Sequence, residues 1–288
     1  MKPCLKIEGL GFISKERIIN MNIIICRRSA RKIVRKIVDE MRNKPKIYTI
    51  KNGEWSPNRP ENINILIRWA TTAETPMANV TYNLTDSIRL ASDKAECRRV
   101  LGEAGIPVPV SSEHPPCVGR TRKHRRGSGF WYCETDEDVL QAKREGAVYF
   151  SAFYPKTEEY RVHVAHGRAL AVSEKIGNRG YIIWNKSLND FRFENLRWKM
   201  WPRKIVKMAI QSCEAIGLDY GAVDVLAKPR DYRLEPAVVC EINTSPMLGD
   251  YISRRYGEYF DWLLEADNRR YHLDNERKYI FKEGRNTN

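Results

Sequence analysis

Two segments, 221–227 and 237–243, alternate residues in the two-residue rhythm of β-strands while carrying acidic or amide side chains inside apolar runs. A strand sends successive side chains to opposite faces. Ala222, Asp224 and Leu226 therefore share one face of the first segment, and Val239, Glu241 and Asn243 are expected to share one face of the second. The polar stretch between them reads as a hairpin loop. Paired in that way, the two strands bring Asp224, Glu241 and Asn243 together. Two carboxylates and an amide carbonyl, completed by waters and phosphate oxygens, suit octahedral magnesium and suit zinc poorly. The same alternation also fits a sheet whose outer face is merely polar. Asp224 upstream and the turn Thr244, Ser245 and Pro246 favour the metal reading.

A chain of 288 residues exceeds what one compact core usually organises, so two or three small domains around a cleft are expected. Residues 22–26 are a β-branched run, followed by Ser29 as an expected helix N-cap and by Ile33, Val34, Ile37, Val38 and Met41 at helical spacing. The apolar run 63–69 reads as the next strand, which makes the first region an open α/β unit. Residues before Met21 read as an added strand or an upstream extension. Asp93 and Glu96 have capping-box spacing ahead of Cys97, Val100, Leu101 and Ala104, and Gly105 and Pro107 stop that helix.

From 116 to 153 the pattern is strand, glycine turn, strand, short helix, strand, which suits a small α+β lobe. Strands follow at 160–165 and 169–175, then a helical stripe of Ile205, Met208, Ala209, Ser212, Cys213 and Ile216 ending at Gly217. A last helix is expected within 251–266, and the polar tail from Asp267 carries no assignment. The expected divisions are an N-terminal α/β domain over 1–84, a central lobe over 85–155 and a C-terminal lobe with the metal site over 156–288.

The net charge of +14 and a pI near 9.5 describe a surface that attracts polyanions, whether nucleotide, nucleic acid or acidic peptide. The basic residues are spread along the chain, with local runs such as Arg27 and Arg28, and no terminal block resembles a basic tail. Seven cysteines without a CxxC pair or clustered histidines suggest neither a disulfide framework nor a zinc site. With no membrane-length apolar stretch and no signal-peptide pattern, the expected compartment is the reducing cytoplasm.

A second feature is Arg120 on an expected strand, followed by His124, Arg125, Arg126, Gly127, Ser128, Gly129 and Phe130. Glycines let backbone N–H groups approach phosphates, and arginines supply countercharge. An ordinary hairpin, or a nucleic-acid contact, fits the same turn. Arg27, Arg28 and Ser29 at a strand-to-helix turn are either a carboxylate site or a solvated turn.

Taken in order, these residues resemble the ATP-grasp ligases, particularly the branch of glutamate ligases that extend a ribosomal protein's C-terminus. The resemblance covers most of the chain from about Thr85 onward. It rests on Asp93 and Lys94 followed by Gly105, Ile106, Pro107, Val108 and Pro109, on the turn Gly127 to Gly129, on Tyr160, Arg161 and Val162, on Phe191 and Arg192 with Asn195, and on Asp224 with Glu241, Ile242 and Asn243. It implies an ATP-grasp fold with an N-terminal open α/β domain, a small central lid and a larger C-terminal lobe.

It further implies that Asp224, Glu241 and Asn243 hold magnesium, that Lys94, Arg120 and Lys175 contact the phosphates of ATP beneath the turn Gly127, Ser128 and Gly129, and that Arg161, Arg192 and Asn195 line the reaction centre. The implied activity joins a carboxylate to an amine through an acyl phosphate, releasing ADP and phosphate, and the positive charge points to an acidic peptide or amino acid. Arg120 stands where the family usually has lysine, and Ser151 and Ala152 stand where an acidic residue is common at the adenine hinge. Two rivals remain beside this reading: a nucleic-acid-binding protein without catalysis, and a kinase on the same fold.

Overall fold

The computed structural model describes residues 21–122, 129–177, 191–228 and 237–265. The first sheet holds β1 (Met21–Arg27), β2 (Lys46–Lys51), β3 (Glu54–Ser56), β4 (Ile63–Trp69) and β5 (Ala78–Tyr82) in the order β3-β2-β1-β4-β5. β1 lies parallel to both β2 and β4 at the centre, and Ile23, Ile24, Ile25 and Cys26 are fully buried, as a strand covered on both faces requires. One face packs on helix α1 (Arg31–Asp39) through Val34, Ile37 and Val38.

Three details differ from the sequence reading. Ser29 is not the N-cap: it lies in a short 3-10 turn, and Ala30 precedes α1 with no side-chain cap. β2 and β3 come between α1 and the strand at 63–69, and β5 adds a further parallel edge. Asn52 and Gly53, both with positive φ (51° and 86°), make the two-residue turn that joins β2 to β3.

Helices α2 (Thr85–Ser92) and α3 (Lys94–Glu103) follow, with the Asp93 carboxylate accepting from the Glu96 backbone N–H at 3.3 Å. A three-stranded antiparallel sheet comes next: β6 (Cys117–Arg120), β7 (Phe130–Cys133) and β8 (Tyr149–Ala152), with β6 in the middle. Helix α4 (Asp136–Arg144) covers it, started by a capping box between Thr135 and Asp138.

The third sheet is antiparallel throughout: β9 (Glu158–Ala165), β10 (Arg168–Gly177), β11 (Phe191–Asn195), β12 (Tyr220–Ala227) and β13 (Val238–Asn243), in the order β11-β10-β9-β12-β13. Val162, Val164, Val172, Val223, Val225 and Ile242 bury one face against α2, α3 and α5 (Arg203–Ala215). The chain then enters α6 (Asp250–Leu264), which packs on α1, where Lys36 pairs with Asp250 at 2.5 Å.

Aromatic packing joins the first sheet to the third. Trp69 at the end of β4 meets Tyr220 at 5.9 Å and Tyr256 of α6 at 5.3 Å between ring centroids, and the Tyr220 hydroxyl donates to the Arg68 carbonyl at 2.5 Å. Asn83 completes the joint: its side-chain N–H donates to the Tyr220 carbonyl at 2.9 Å, and its Oδ1 accepts from the Asp219 N–H at 2.9 Å.

Candidate active site

The face of the third sheet turned away from α5 carries the polar residues. Its register lines up Asn195, Ser173, Arg161, Asp224 and Glu241, one from each of five adjacent strands. Cross-strand neighbours sit about 5 Å apart, so every member of the row can reach the next. Ser173 Oγ donates to Asn195 Oδ1 at 2.8 Å. Arg161 grips Asp224 with two parallel bonds, Nε to Oδ1 at 2.6 Å and Nη2 to Oδ2 at 2.7 Å, while its guanidinium carbon lies 4.4 Å from the centre of the Phe193 ring. Asn243 Nδ2 lies 3.2 Å from Asp224 Oδ2 and 3.1 Å from Glu241 Oε1.

This convergence depends on a bulge. Val225 pairs with Val239 but Asp224 pairs with Glu241, so Cys240 is an extra residue in β13. The expectation that Val239 shares a face with Glu241 and Asn243 is corrected accordingly: Val239 is fully buried in the core on the other side. The extra residue shifts the alternation by one and turns Glu241 toward Asp224. Burial raises the Asp224 carboxyl above its ordinary value, Arg161 opposes the rise, and Glu241 adds to it.

Of the expected phosphate contacts, Lys94 opens α3 and is buried; its Nζ donates to the Ile242 carbonyl at 2.8 Å and lies 3.9 Å from Glu241 Oε2. Lys175 shares the face of the row. It pairs with Glu159 at 2.7 Å and sits 4.4 Å from the Phe191 ring centre. Burial alone would raise the Glu159 carboxyl, but Lys175 and Lys156 overcome it and hold the group below its ordinary value. Arg120 lies 4.7 Å from the Phe130 ring centre, and its Nε is buried without a hydrogen-bond partner among the described residues.

Gly129 has φ +59°, and a Cβ there would come within 2.4 Å of Thr121 Oγ1, so no larger residue fits without a shift. Gly127 and Ser128 lie outside the described residues. Arg192 pairs in register with Ile176, on the opposite face of β11 from Asn195, and its Nε donates to Glu194 at 2.8 Å. The fold thus gathers Asn195, Arg161, Asp224, Glu241, Asn243 and Lys94, and leaves Arg192 apart.

Sequence reasoning passed over four neighbours of the row. Ser173 stands between Asn195 and Arg161. Glu159 and His163 flank Arg161 on its own face, a period-two pattern visible in β9. His163 is buried with Nδ1 3.3 Å from the Tyr256 hydroxyl, and burial, aided by Arg161, pushes its imidazole down to about 3. Arg98 of α3 donates to the Cys240 carbonyl at 3.3 Å and to Ser151 Oγ at 3.3 Å, linking the bulge to the three-stranded sheet.

The overall fold is similar to that of solved structures, among them three ligases. The ATP-grasp ligase PsnB complexed with a minimal precursor aligns over 85% of this chain and 99% of its own, with a TM-score of 0.60 at 13% identity. D-alanine–D-alanine ligase from Bacillus anthracis aligns over 88% and 99%, with a TM-score of 0.61 at 14% identity. The fold is that of the ATP-grasp ligases. A Chryseobacterium gregarium RiPP-associated ATP-grasp ligase, in complex with ADP and a leader and core peptide, aligns over 83% and 96%, with a TM-score of 0.57 at 14% identity. No family model and no curated protein matches the sequence.

Within this ATP-grasp fold the donor set at Asp224, Glu241 and Asn243 fits a hard divalent cation: two carboxylates with an amide within 3.2 Å of both. Exchanging the amide's nitrogen and oxygen would direct Oδ1 toward the carboxylates. Among the described residues no cluster of three or more His, Cys, Asp or Glu offers an alternative metal site. No helix of the described residues is long and apolar enough to cross a membrane.

Proposed function

We propose that this protein is an ATP- and magnesium-dependent ligase that joins a carboxylate to an amine, with an acidic peptide or amino acid as one substrate. The observation that carries the reading is the cross-strand row from Asn195 to Glu241, which ends in two carboxylates and begins in neutral donors and acceptors. Three lobes would serve it, divided near 84 and 155, with the sheet of β6, β7 and β8 as lid.

A carboxylate is a poor electrophile. Its oxygen would attack the γ-phosphorus of ATP, the bond to the bridging oxygen would break, and ADP would leave an acyl phosphate; an amine would then attack the carbonyl carbon and release phosphate and a proton. Magnesium, held by Asp224, Glu241 and Asn243, would supply charge neutralisation among the phosphate oxygens. Arg120, Lys175 and Lys94 would add positive charge there, with the turn of Gly127, Ser128 and Gly129 closing over it to exclude water. Asp224 occupies Nε and Nη2 of Arg161, so Nη1 is the group that would donate to the oxyanion formed when the amine adds. Asn195, fixed by Ser173, would orient the acceptor. Arg192 has no part in this scheme because its strand turns it to the other face.

The net charge supports an acidic substrate, and the peptide complexes among the structural neighbours support a peptide partner. Seven cysteines without a CxxC pair support a reducing cytoplasmic location. Incubating the protein with ATP, magnesium and glutamate-rich peptides in the presence of hydroxylamine should release ADP and phosphate and trap a hydroxamate. Stoichiometric AMP and pyrophosphate would instead mean adenylation.

A further inference from the structure

The order β3-β2-β1-β4-β5 reverses direction at β1, and an open α/β sheet leaves a crevice beyond the carboxyl ends of the strands at such a point. A cavity of about 920 Å³ occupies that crevice. Arg27 and Arg28 line it at the end of β1, Lys51 at the end of β2, and Arg59 beyond β3, whereas Glu74 is the one carboxylate in the lining. None of these four cations forms an ion pair with a described residue. Like charges gathered in one concavity repel, and an anion entering it removes that cost.

The wall opposite the arginines of β1 is fixed in advance. Arg68 is 5% exposed and donates to the Ala73 carbonyl at 2.8 Å and to Thr75 Oγ1 at 2.7 Å, holding the loop that follows β4. Ala70, at the start of that loop, has φ +50°, a conformation that a non-glycine residue keeps only where its surroundings over-determine it. A loop held this firmly keeps Thr71 and Thr72 in the cavity lining without reordering, and the Thr71 hydroxyl accepts from the Ala73 N–H at 3.4 Å.

We infer that this cavity is a carboxylate-binding subsite that takes acidic side chains or a terminal carboxylate of the peptide substrate; the identity of the bound peptide as substrate rests on the ligase reading above. Contacts lead from the cavity to the row on the third sheet. β4 ends at Trp69, just before the loop; the Trp69 ring packs on Tyr256, and the Tyr256 hydroxyl lies 3.3 Å from His163, the neighbour of Arg161 on the same strand face. A nucleic acid fits the cavity less well. Trp55 is the aromatic residue of the lining, and its ring already meets Arg59 at 6.0 Å and Tyr48 edge-on at 5.9 Å, which makes it a poor stacking platform for bases.

Fluorescence anisotropy of a short labelled oligoglutamate peptide, without nucleotide, tests the assignment on the full chain. Wild-type protein should bind it, more weakly as salt rises. Arg28→Ala with Arg59→Ala should lose on the order of tenfold in affinity or more while keeping the wild-type melting curve and magnesium-ATP binding. Arg27→Glu should lose at least as much, and Glu241→Gln should bind the peptide as wild type does. Unchanged peptide affinity in both cavity variants would overturn the subsite, as would an oligonucleotide of the same length that binds more tightly and displaces the peptide. Peptide binding that depends on these arginines in a protein that binds no magnesium-ATP would support the subsite and sink the ligase reading.

Discussion

The two five-stranded sheets of this chain are built on opposite plans. The first is parallel at its centre and buried on both faces: Ile24, Ile65 and Ile67 pack on one side, and Ile23, Ile25 and Leu66 on the other. Its ligand-sized space is therefore at the strand ends, where Arg27, Lys51 and the loop after β4 meet. The third sheet is antiparallel: α5 covers one face, and α6 covers part of the other around Ala171, His163 and Tyr220, leaving the rest of that face for the row from Asn195 to Glu241. A sheet face that helices cover only in part can place side chains from adjacent strands in contact across its width. A sheet covered on both sides can offer only its edges and ends.

Replacing Arg161 should reveal what the polar row costs. Arg161→Ala leaves Asp224 buried and unpaired and should destabilise the protein by about 3–5 kcal/mol, read by chemical denaturation. The paired change Arg161→Met with Asp224→Leu should recover most of that stability without recovering turnover. If the single variant melted with wild type, the ion pair would not be holding the two central strands of the row together.

Glu241→Gln separates the row's chemistry from its packing. Glu241 is partly exposed, so the melting transition should stay in place, while ADP release with an acidic peptide should fall on the order of 10²–10³-fold. A smaller effect belongs to the lid sheet. Gly129→Ala combines a positive φ with a contact on Thr121 and should destabilise by about 1–2 kcal/mol, seen as a lower melting temperature. An unchanged melt would mean that the turn relaxes freely.

The two sheets also differ in how much of them was legible in the sequence. Asp224 and Glu241 announced themselves because carboxylates stood inside alternating apolar runs, and Gly105 and Gly217, both with positive φ, marked helix ends correctly. The phase of β13 was not legible: a bulge inserts Cys240 without altering composition, so Val239 was placed on the wrong face. β2 and β3 were missed although Asn52 and Gly53 gave a hairpin signal between them. That Arg161 lies opposite Asp224 follows from β9 pairing with β12, a long-range choice that no local pattern encodes. The cavity at the first sheet was half visible in Arg27, Arg28 and Ser29, but Lys51, Arg59 and the strained Ala70 join it only through the fold.

Magnesium-ATP binding by the wild-type chain and by Glu241→Gln, followed by isothermal titration with and without magnesium, tests the central assignment most directly. Wild-type protein should bind ATP in a magnesium-dependent manner, and Glu241→Gln should lose that dependence while its circular dichroism spectrum remains unchanged. Nucleotide binding that ignores magnesium in the wild type, or that is equally metal-dependent in a folded Glu241→Gln variant, would contradict the placement of the metal-nucleotide complex at Asp224, Glu241 and Asn243.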